Sequence, residues 1–167
     1  MTEPRWLNDE QQHAWRRFIA VAMLLPYELE SQLQRDADLT HFEYWLLAIL
    51  SEAPGGALRM SDLAAQTNAS QSRTSHAVGK LESRGWVRRE RTNADGRGNV
   101  AVLTDAGFDK VREVAPGHVA TVQSLLFDAL TDAQVRQLDK IATAILQRLD
   151  PGRRLAVNSS STEDEAP

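Results

Sequence analysis

Hydrogen-bonding and cationic side chains are concentrated in a short segment between Ser70 and Arg84. An arginine can donate two hydrogen bonds to O6 and N7 of a guanine, and a glutamine can pair with an adenine in a similar way. A lysine presents a point charge that suits a phosphate. If the segment is a helix whose polar side is merely solvated, these side chains have no such role. The candidates for contact with a nucleic acid are Gln71, Ser72, Arg73, Ser75, His76 and Lys80.

Charge is distributed unevenly along the chain. The whole sequence has a formal net charge of -4, but residues 71–97 contain seven basic and three acidic side chains, a local balance of +4 that leaves −8 for the rest. A basic surface on an acidic protein is the electrostatic pattern of a nucleic-acid-binding face. The alternative is that exposed helix and strand faces here are basic by chance.

Other chemistry is poorly represented in the sequence. The absence of cysteine excludes disulfides, thiolate metal sites and thiol-based redox sensing. The four histidines have no spacing that gathers metal ligands, and there is neither a glycine-rich phosphate loop nor a distinguishable Ser-His-Asp arrangement. We therefore expect no metal, no cofactor and no enzymatic activity.

The chain also lacks the signals of a membrane or exported protein. No stretch approaches the roughly 18 uninterrupted apolar residues of a transmembrane helix. The N-terminus carries acidic residues such as Glu3 and Asp9 and has no apolar core of a secretory signal. The expectation is a cytoplasmic protein without a membrane partner, and 167 residues suit one compact domain with extended arms.

The elements that position the polar segment can be read from caps and periodicity. A long amphipathic helix is predicted over 8–36, bent at Pro26, and a second helix begins at a capping box on Thr40. A short strand over 58–60 and a brief helix capped by Ser61 follow. The polar segment itself is predicted as a helix that Ser70 caps and Gly85 ends.

Two β-rich runs, 86–92 and 99–103, are joined by a turn rich in Asn, Asp and Gly and predict a hairpin. With the strand at 58–60 as a third strand, this order is a helix-turn-helix followed by a wing, and it indicates a protein that reads duplex DNA. The winged unit spans residues 40–103. The fold class is mainly α with a small β wing.

Two further helices follow the hairpin. Thr104 caps a helix to about Leu130, kinked or interrupted at Pro116-Gly117, and a capping box at Thr131 opens a last helix to Leu149. These helices and the first are too long and apolar to be covered by the winged unit alone, so 8–36 and 104–150 are predicted to form a homodimerisation region. Residues 151–167 are predicted to be a disordered acidic tail.

Three runs at fixed spacing resemble the wing region of the MarR (multiple antibiotic resistance regulator) family of winged-helix transcription factors. The family pattern is Leu-Glu-x-x-Gly before two hydrophobic residues, an Asp-x-Arg wing tip, and a Leu-Thr-x-x-Gly exit. The resemblance extends over about residues 8–150 and implies a triangular dimer that reads a pseudo-palindromic operator. The runs are Leu81–Arg89, Asp95–Arg97 and Leu103–Gly107.

The resemblance also implies roles for residues of the wing. Arg97 at the tip would enter the minor groove, whose negative potential deepens where the groove narrows, and Asp95 would hold its guanidinium. Arg89 would position the wing or contact a phosphate. The chain departs from the family at Ala101, where a larger apolar residue is usual, and at the two glycines that flank Arg97. Those glycines predict a more flexible wing.

Aromatic residues of the first two helices could line a cleft for a small phenolic or aromatic acid, as in many MarR-like proteins. Aromatic residues at helical spacing can equally belong to the core, and the sequence leaves both readings open. Arg16, Arg17 or His41 could pair with the carboxylate of such an effector. The candidates for ligand contact are Trp15, Phe18, His41, Tyr44 and Trp45.

Together these patterns predict a cytoplasmic, homodimeric, ligand-responsive transcriptional regulator that acts as a repressor on double-stranded DNA. Two other classes stay open. One is a winged-helix protein-interaction module without sequence-specific DNA binding, and the other is a small enzyme. Phosphate-driven binding weakens steeply as salt rises, whereas an apolar protein interface does not, so salt dependence separates the first two.

Overall fold

A computed structural model describes residues 4–91, 98–155 and 157. Within these residues the chain is mainly helical with one small antiparallel sheet, which confirms the predicted fold class. The elements are α1 (Asp9–Ala37), α2 (His41–Glu52), β1 (Ala57–Arg59), α3 (Met60–Gln66), α4 (Gln71–Ser83), β2 (Val87–Arg91), β3 (Asn99–Leu103), α5 (Asp105–Leu125) and α6 (Asp132–Leu149), with single 3₁₀ turns at Pro54–Gly56 and Phe127–Ala129.

Side-chain caps set the start of most helices. Reciprocal capping boxes open α1, α2 and α6, and those of α2 and α6 were predicted. Ser70 accepts a hydrogen bond from the backbone N–H of Arg73, which starts α4. The predicted cap at Ser61 is wrong, because α3 begins one residue earlier, directly after β1, and Ser61 donates to Asp62 within the first turn. Arg59 still pairs in the sheet, so β1 ends at this residue. Helix α3 follows directly, and no residue lies between strand and helix that could act as a separate cap.

The sheet has the strand order β1-β3-β2, so β3 is its central strand. Leu58 pairs with Ala101 on one side, and Arg89 pairs with Ala101 on the other. The third strand of the wing sheet is therefore confirmed, one residue earlier than predicted. Ala101 is fully buried. The wing strands are thus anchored to the helices through β1, which continues without a break into α3.

The core lies within the winged unit and reaches into the flanking helices. Leu46, Leu47 and Leu50 of α2 pack with residues of α3, α4 and the sheet. Leu33 of α1 and Val114 of α5 belong to the same buried cluster. The long helices are therefore joined to the winged unit by shared apolar packing, and the free energy of burying these side chains stabilises the junction.

The motif around Leu103-Thr104-x-x-Gly107 closes the sheet onto α5. Thr104 donates its backbone N–H to the carbonyl of Trp86 at 3.0 Å and its hydroxyl to the carbonyl of Gly85 at 2.7 Å. Its hydroxyl also accepts from the N–H of Gly107 at 3.1 Å. A Cβ on Gly107 would lie 2.2 Å from the Trp86 carbonyl oxygen, so the close approach requires glycine. Gly85 has φ +75°, the left-handed conformation predicted for the end of α4.

Helix α5 differs from its prediction. It runs without interruption through Pro116 and ends at Leu125, not near Leu130. A proline removes a single backbone donor, and α5 packs against α1 and α2 and buries Val114, which keeps the helix continuous. Leu126 leaves the helical region with φ -120° and ψ -60°, which ends α5 before the second 3₁₀ turn.

Helix α6 and the first half of α1 present apolar faces that the rest of the described chain does not cover. No residue of α6 is buried, and its Ile141 and Leu149 are 57% and 73% exposed. On α1, Met23 and Leu24 are 70% and 63% exposed. No helix in the described ranges is long and apolar enough to cross a membrane. Of the predicted acidic tail, residues 151–155 and 157 are described, and the remaining residues lie outside the described ranges.

Candidate nucleic-acid interface

The exposed polar edge of α4 carries the residues predicted to contact DNA. Gln71, Ser72 and His76 are exposed, and Ser75 is half-buried. The opposite side of the helix is anchored in the core by four buried residues, Thr74, Ala77, Val78 and Leu81. Thr74 is fully buried although it is polar, and its hydroxyl donates to the carbonyl of Ser70. The edge is therefore presented by a helix that cannot rotate without exposing its apolar side.

Two predicted DNA-contacting cations rest against α2. The guanidinium carbon of Arg73 lies 4.2 Å from the ring centroid of Phe42. The ammonium nitrogen of Lys80 lies 3.6 Å from Oε1 of Glu43, and the Lys80 side chain stays 56% exposed. Both side chains are long and partly solvated, so the same groups can leave these partners for a nucleic acid.

Glu43 has a role that the sequence did not reveal. Its Oε2 accepts the backbone N–H of Thr40 at 3.0 Å, which completes the capping box of α2. Its Oε1 faces Lys80, and the carboxylate is buried. A buried carboxylate needs such partners because desolvation disfavours its charge. Only the capping spacing was visible beforehand; the pairing with α4 depends on how two helices pack.

Arg84, at the C-terminal end of α4, is a further residue that sequence reasoning did not assign to the site. Its Nη1 donates to the backbone carbonyl of Asp38 at 2.7 Å, and its Nη2 donates to Oδ2 of Asp38 at 2.6 Å. The guanidinium also lies 5.1 Å from the ring centroid of Trp86. Spacings of seven and four residues place Arg73, Lys80 and Arg84 on one side of α4, and that periodicity was the available signal.

Arg89 fastens the wing to α4. Its Nη2 donates to the backbone carbonyl of Ser75 at 2.7 Å, and its Nε lies 3.5 Å from Oε2 of Glu82. The backbone N–H of Arg89 also donates to Glu82 Oε1 at 3.2 Å. Of the two roles that the resemblance implied for this arginine, these contacts correspond to positioning of the wing strand on α4.

The tip of the wing, with Asp95 and Arg97, lies outside the described residues, so their predicted roles stay predictions. The strand that leads to the tip is basic and exposed. Arg88 pairs with Glu90 at 2.7 Å on this strand, and both side chains are about half exposed.

A groove of about 520 Å³ lies between α1, α2 and α4. Of the five predicted ligand residues, His41 and Trp45 line it. Tyr44 is buried on another side of α2, where its ring lies 4.6 Å from that of His118. Trp15 and Phe18 lie outside the groove and are about half exposed. The lining residues are Pro26, Glu30, Thr40, His41, Phe42, Glu43, Trp45, Thr67, Arg73, His76, Ala77 and Lys80.

The imidazole of His41, which lines this groove, lies close to a second imidazole. The rings of His41 on α2 and His118 on α5 lie 5.9 Å apart. Burial lowers the pKa of His41, partly offset by the nearby Glu30, and burial together with His41 lowers the pKa of His118. Glu30 also accepts the backbone N–H of His41 at 2.6 Å. The junction between the long helices and the winged unit therefore favours neutral histidines.

Metal binding finds no support in this geometry. In the ranges 4–91 and 98–155, no group of three or more histidine and carboxylate side chains is arranged to hold a metal ion. The chemistry available at α4 and in the groove is hydrogen bonding, ion pairing and aromatic stacking, which suits recognition of a partner.

Comparison with known proteins agrees with this geometry. A family model described as "MarR family" matches residues 37–98. The transcriptional repressor MprA of Escherichia coli is 28% identical over 107 residues, which are 64% of this chain and 60% of the relative. The chain therefore matches less than two thirds of that repressor's length.

Two solved structures from Streptomyces coelicolor match over nearly their full length. Sco3205, described as a MarR family transcriptional regulator in complex with DNA, is 45% identical, covers 93% of this chain and 97% of its own, and has a TM-score of 0.86. AbsC, described as a MarR family transcriptional regulator, is 43% identical, covers 87% and 98%, and has a TM-score of 0.82. With a helix-turn-helix, a wing sheet and relatives of this similarity, the chain belongs to the MarR family of winged helix-turn-helix transcriptional regulators.

Proposed function

We propose that this protein is a cytoplasmic transcriptional repressor, without catalytic activity, that binds a pseudo-palindromic operator as a homodimer and responds to a small ligand. The observation that carries the proposal is the exposed polar edge of α4, held rigidly by its buried opposite side and flanked by a basic wing strand. The Streptomyces coelicolor relative that is 45% identical was crystallised in complex with DNA, which supports DNA binding by this chain.

In this proposal the N-terminal part of α4 enters the major groove and the wing tip follows the minor groove. Arg73 must leave the ring of Phe42 to reach a base. An exposed cation–π contact contributes about 0.5–1 kcal/mol, whereas a bidentate pair with guanine contributes about 1–3 kcal/mol of discrimination. The base contact is the stronger of the two, so the resting position of Arg73 does not oppose recognition.

Lys80 is proposed to contact a phosphate, and Arg89 to hold the wing. The Lys80 ammonium pairs with the buried Glu43 carboxylate, but the Lys80 side chain is 56% exposed, so it can turn towards a phosphate. Neutralisation of a phosphate by the lysine also releases condensed counterions, which favours the contact. Glu43 keeps its hydrogen bond to Thr40 when Lys80 leaves. Gln71, Ser72, Ser75 and His76 are proposed to contact base edges or the sugar-phosphate backbone.

The homodimer is supported by the uncovered apolar faces of α1 and α6. An isologous interface of standard size covers about 800 Å² on each partner. Each of the two faces offers large apolar side chains that a second copy would remove from water. The exposed members include Trp15, Phe18, Met23, Leu24, Leu138, Ile141, Ile145 and Leu149.

The effector is proposed to be a small aromatic acid bound in the groove between α1, α2 and α4. Trp45 and Phe42 offer aromatic surface, and Arg73 and Lys80 offer positive charge for a carboxylate. Of the five predicted ligand residues, His41 and Trp45 are proposed to contact the effector directly. Trp15 and Phe18 belong to the proposed dimer face.

The experiment that tests the proposal is recovery of bound DNA from the genome, followed by binding titrations on the recovered sequence over a range of salt. We expect one palindromic site, nanomolar binding and a linear fall of log K with log salt. A protein-interaction module would recover no common sequence, and its binding would be insensitive to salt. Addition of benzoate or 4-hydroxybenzoate should change both Trp45 fluorescence and the affinity for DNA.

A further inference from the structure

Helix α4, the proposed recognition helix, is fastened at its C-terminal end to the end of α1. Arg84 donates through both terminal nitrogens to one residue, Asp38, at 2.7 Å and 2.6 Å. One of the two acceptors is the backbone carbonyl. A guanidinium fork with two acceptors on the same residue has a defined orientation, which a single flexible ion pair lacks.

Asp38 is itself held in place by the backbone. It closes α1 in the left-handed conformation, with φ 52°, and its N–H bonds to the carbonyl of Gln34 at 3.2 Å. The next backbone bond, from Leu39 to the carbonyl of Leu33, joins this turn to two fully buried leucines. The backbone acceptor for Arg84 is therefore part of a fixed helix end and moves only with α1.

The other side of the Arg84 guanidinium rests on Trp86, which connects it to α5. Lys110 of α5 lies 5.5 Å from the same indole ring. The Trp86 carbonyl accepts the N–H of Thr104 at the start of α5. Helices α1, α4 and α5 thus meet at one arginine, and α1 also carries an apolar face proposed to bind the second copy.

We infer that Arg84 is a positioning residue that sets the orientation of α4 relative to α1, and thereby the spacing between the two half-sites that a dimer accepts. This inference rests on the proposed function. In a dimer joined through α1 and α6, the distance between the two recognition helices depends on the angle between α4 and α1. Operators of one half-site spacing match one such angle.

Exposure argues against the simpler role of stabilising the fold. The Asp38 side chain is 82% exposed and that of Arg84 is 36% exposed. Ion pairs this open to solvent contribute little to folding because water screens them. A second simpler role is direct contact with a phosphate, and it has a separate signature. Removal of a phosphate contact lowers the slope of log K against log salt by about one, whereas loss of orientation leaves that slope unchanged.

The test measures affinity for a set of operators in which the half-sites are moved apart or together by one and two base pairs. The variants are Arg84→Ala, Arg84→Lys and Asp38→Asn in the full chain. Lysine keeps the charge but cannot donate to both acceptors in the same geometry. The matched control is Arg112→Ala, which removes the same charge from an exposed pair with Asp109 inside α5.

We expect the wild-type protein to prefer its natural spacing by at least about fivefold. Arg84→Ala and Arg84→Lys should reduce that preference to about twofold or less with the wild-type salt slope. Asp38→Asn keeps the backbone acceptor, so its spacing preference should lie between that of the two Arg84 variants and that of the wild type. The spacing preference of Arg112→Ala should equal that of the wild type.

The inference is overturned if Arg84→Lys and Arg84→Ala keep the wild-type preference for half-site spacing. It is also overturned if these variants keep that preference but show a salt slope lowered by about one. If Arg84→Ala does not fold, Arg84→Lys and Asp38→Asn decide the question alone. Failure of the wild-type protein to bind any recovered DNA would instead overturn the proposed function, which distinguishes the two.

Discussion

A methyl group added at position 107 should destabilise the protein strongly, although alanine favours helices. In Gly107→Ala the new Cβ would lie 2.2 Å from the carbonyl oxygen of Trp86 and 2.6 Å from Cδ1 of Leu103. The first neighbour is backbone and cannot rotate away. Relief of the contact therefore needs roughly 1 Å of movement between α5 and the start of β2.

The size of the effect follows from three contributions. Replacement of glycine by alanine within a helix stabilises it by about 1 kcal/mol. Overpacking against a fixed group costs about 1–3 kcal/mol or more. Displacement of the Trp86 carbonyl also weakens its hydrogen bond from Thr104, which costs about 1 kcal/mol. The overpacking and hydrogen-bond costs outweigh the helix gain, so the free energy of unfolding should fall by about 1–3 kcal/mol.

The control is Gly117→Ala in the same helix, where the nearest atom to the new Cβ, Nε2 of Gln32, lies at 3.5 Å, an ordinary contact. This variant should be as stable as the wild type or more stable by up to about 1 kcal/mol. Denaturant unfolding followed by far-ultraviolet circular dichroism measures both, at one protomer concentration because dimer stability depends on it. The reasoning is refuted if Gly107→Ala unfolds at or above the wild-type midpoint.

Three further predictions concern pH, DNA contact and assembly. Burial lowers the folded-state pKa of His41 and His118 below the usual 6.5. Protonation therefore penalises the folded state, so the free energy of unfolding should fall as pH is lowered below about 6.5. Unfolding midpoints should show this loss, and replacement of both histidines by glutamine should remove it. Arg97→Ala should weaken binding to all operator variants. Arg73→Ala should instead relax the base preference at one symmetric position per half-site, at a cost of about 1–3 kcal/mol. Titration of a randomised palindrome library separates the two effects, and an unchanged base preference in Arg73→Ala would remove its assigned role. Ile141→Asp should convert the dimer to a monomer in light scattering at micromolar concentration, because it buries a charge in an apolar interface; a dimer that survives would exclude the α6 face.

Local chemistry explains why most element starts were predictable. Capping boxes at Thr40 and Thr131 depend on residues three positions apart, which can be read directly from the chain. The motif that ends at Gly107 was also read from its spacing, but the close approach of Gly107 to Trp86 was not predicted. By contrast, the start of α3 before Ser61 and the continuity of α5 through Pro116 depend on pairing and packing with distant residues. Local patterns carry no information about such neighbours.

The candidate site also combines features that were predictable from the local sequence with features that were not. The polar edge of α4 was predictable because its buried residues recur at helical spacing. The partners of its basic residues were not, because Asp38 and Glu43 lie some forty residues away in sequence. Which aromatic side chains line the groove also depended on how α1 and α2 pack, and this separated Trp45 from Trp15.

The groove and the recognition edge share Arg73, His76 and Lys80. A substitution selected for a new operator base at Arg73 would therefore alter the charge and shape presented to an effector in the same step. In the proposed regulator, operator specificity at Arg73 therefore cannot change without a change in the effector groove. Adaptation to a new effector would instead proceed most readily through Trp45 and His41, which line the groove on α2 and leave the edge of α4 unchanged.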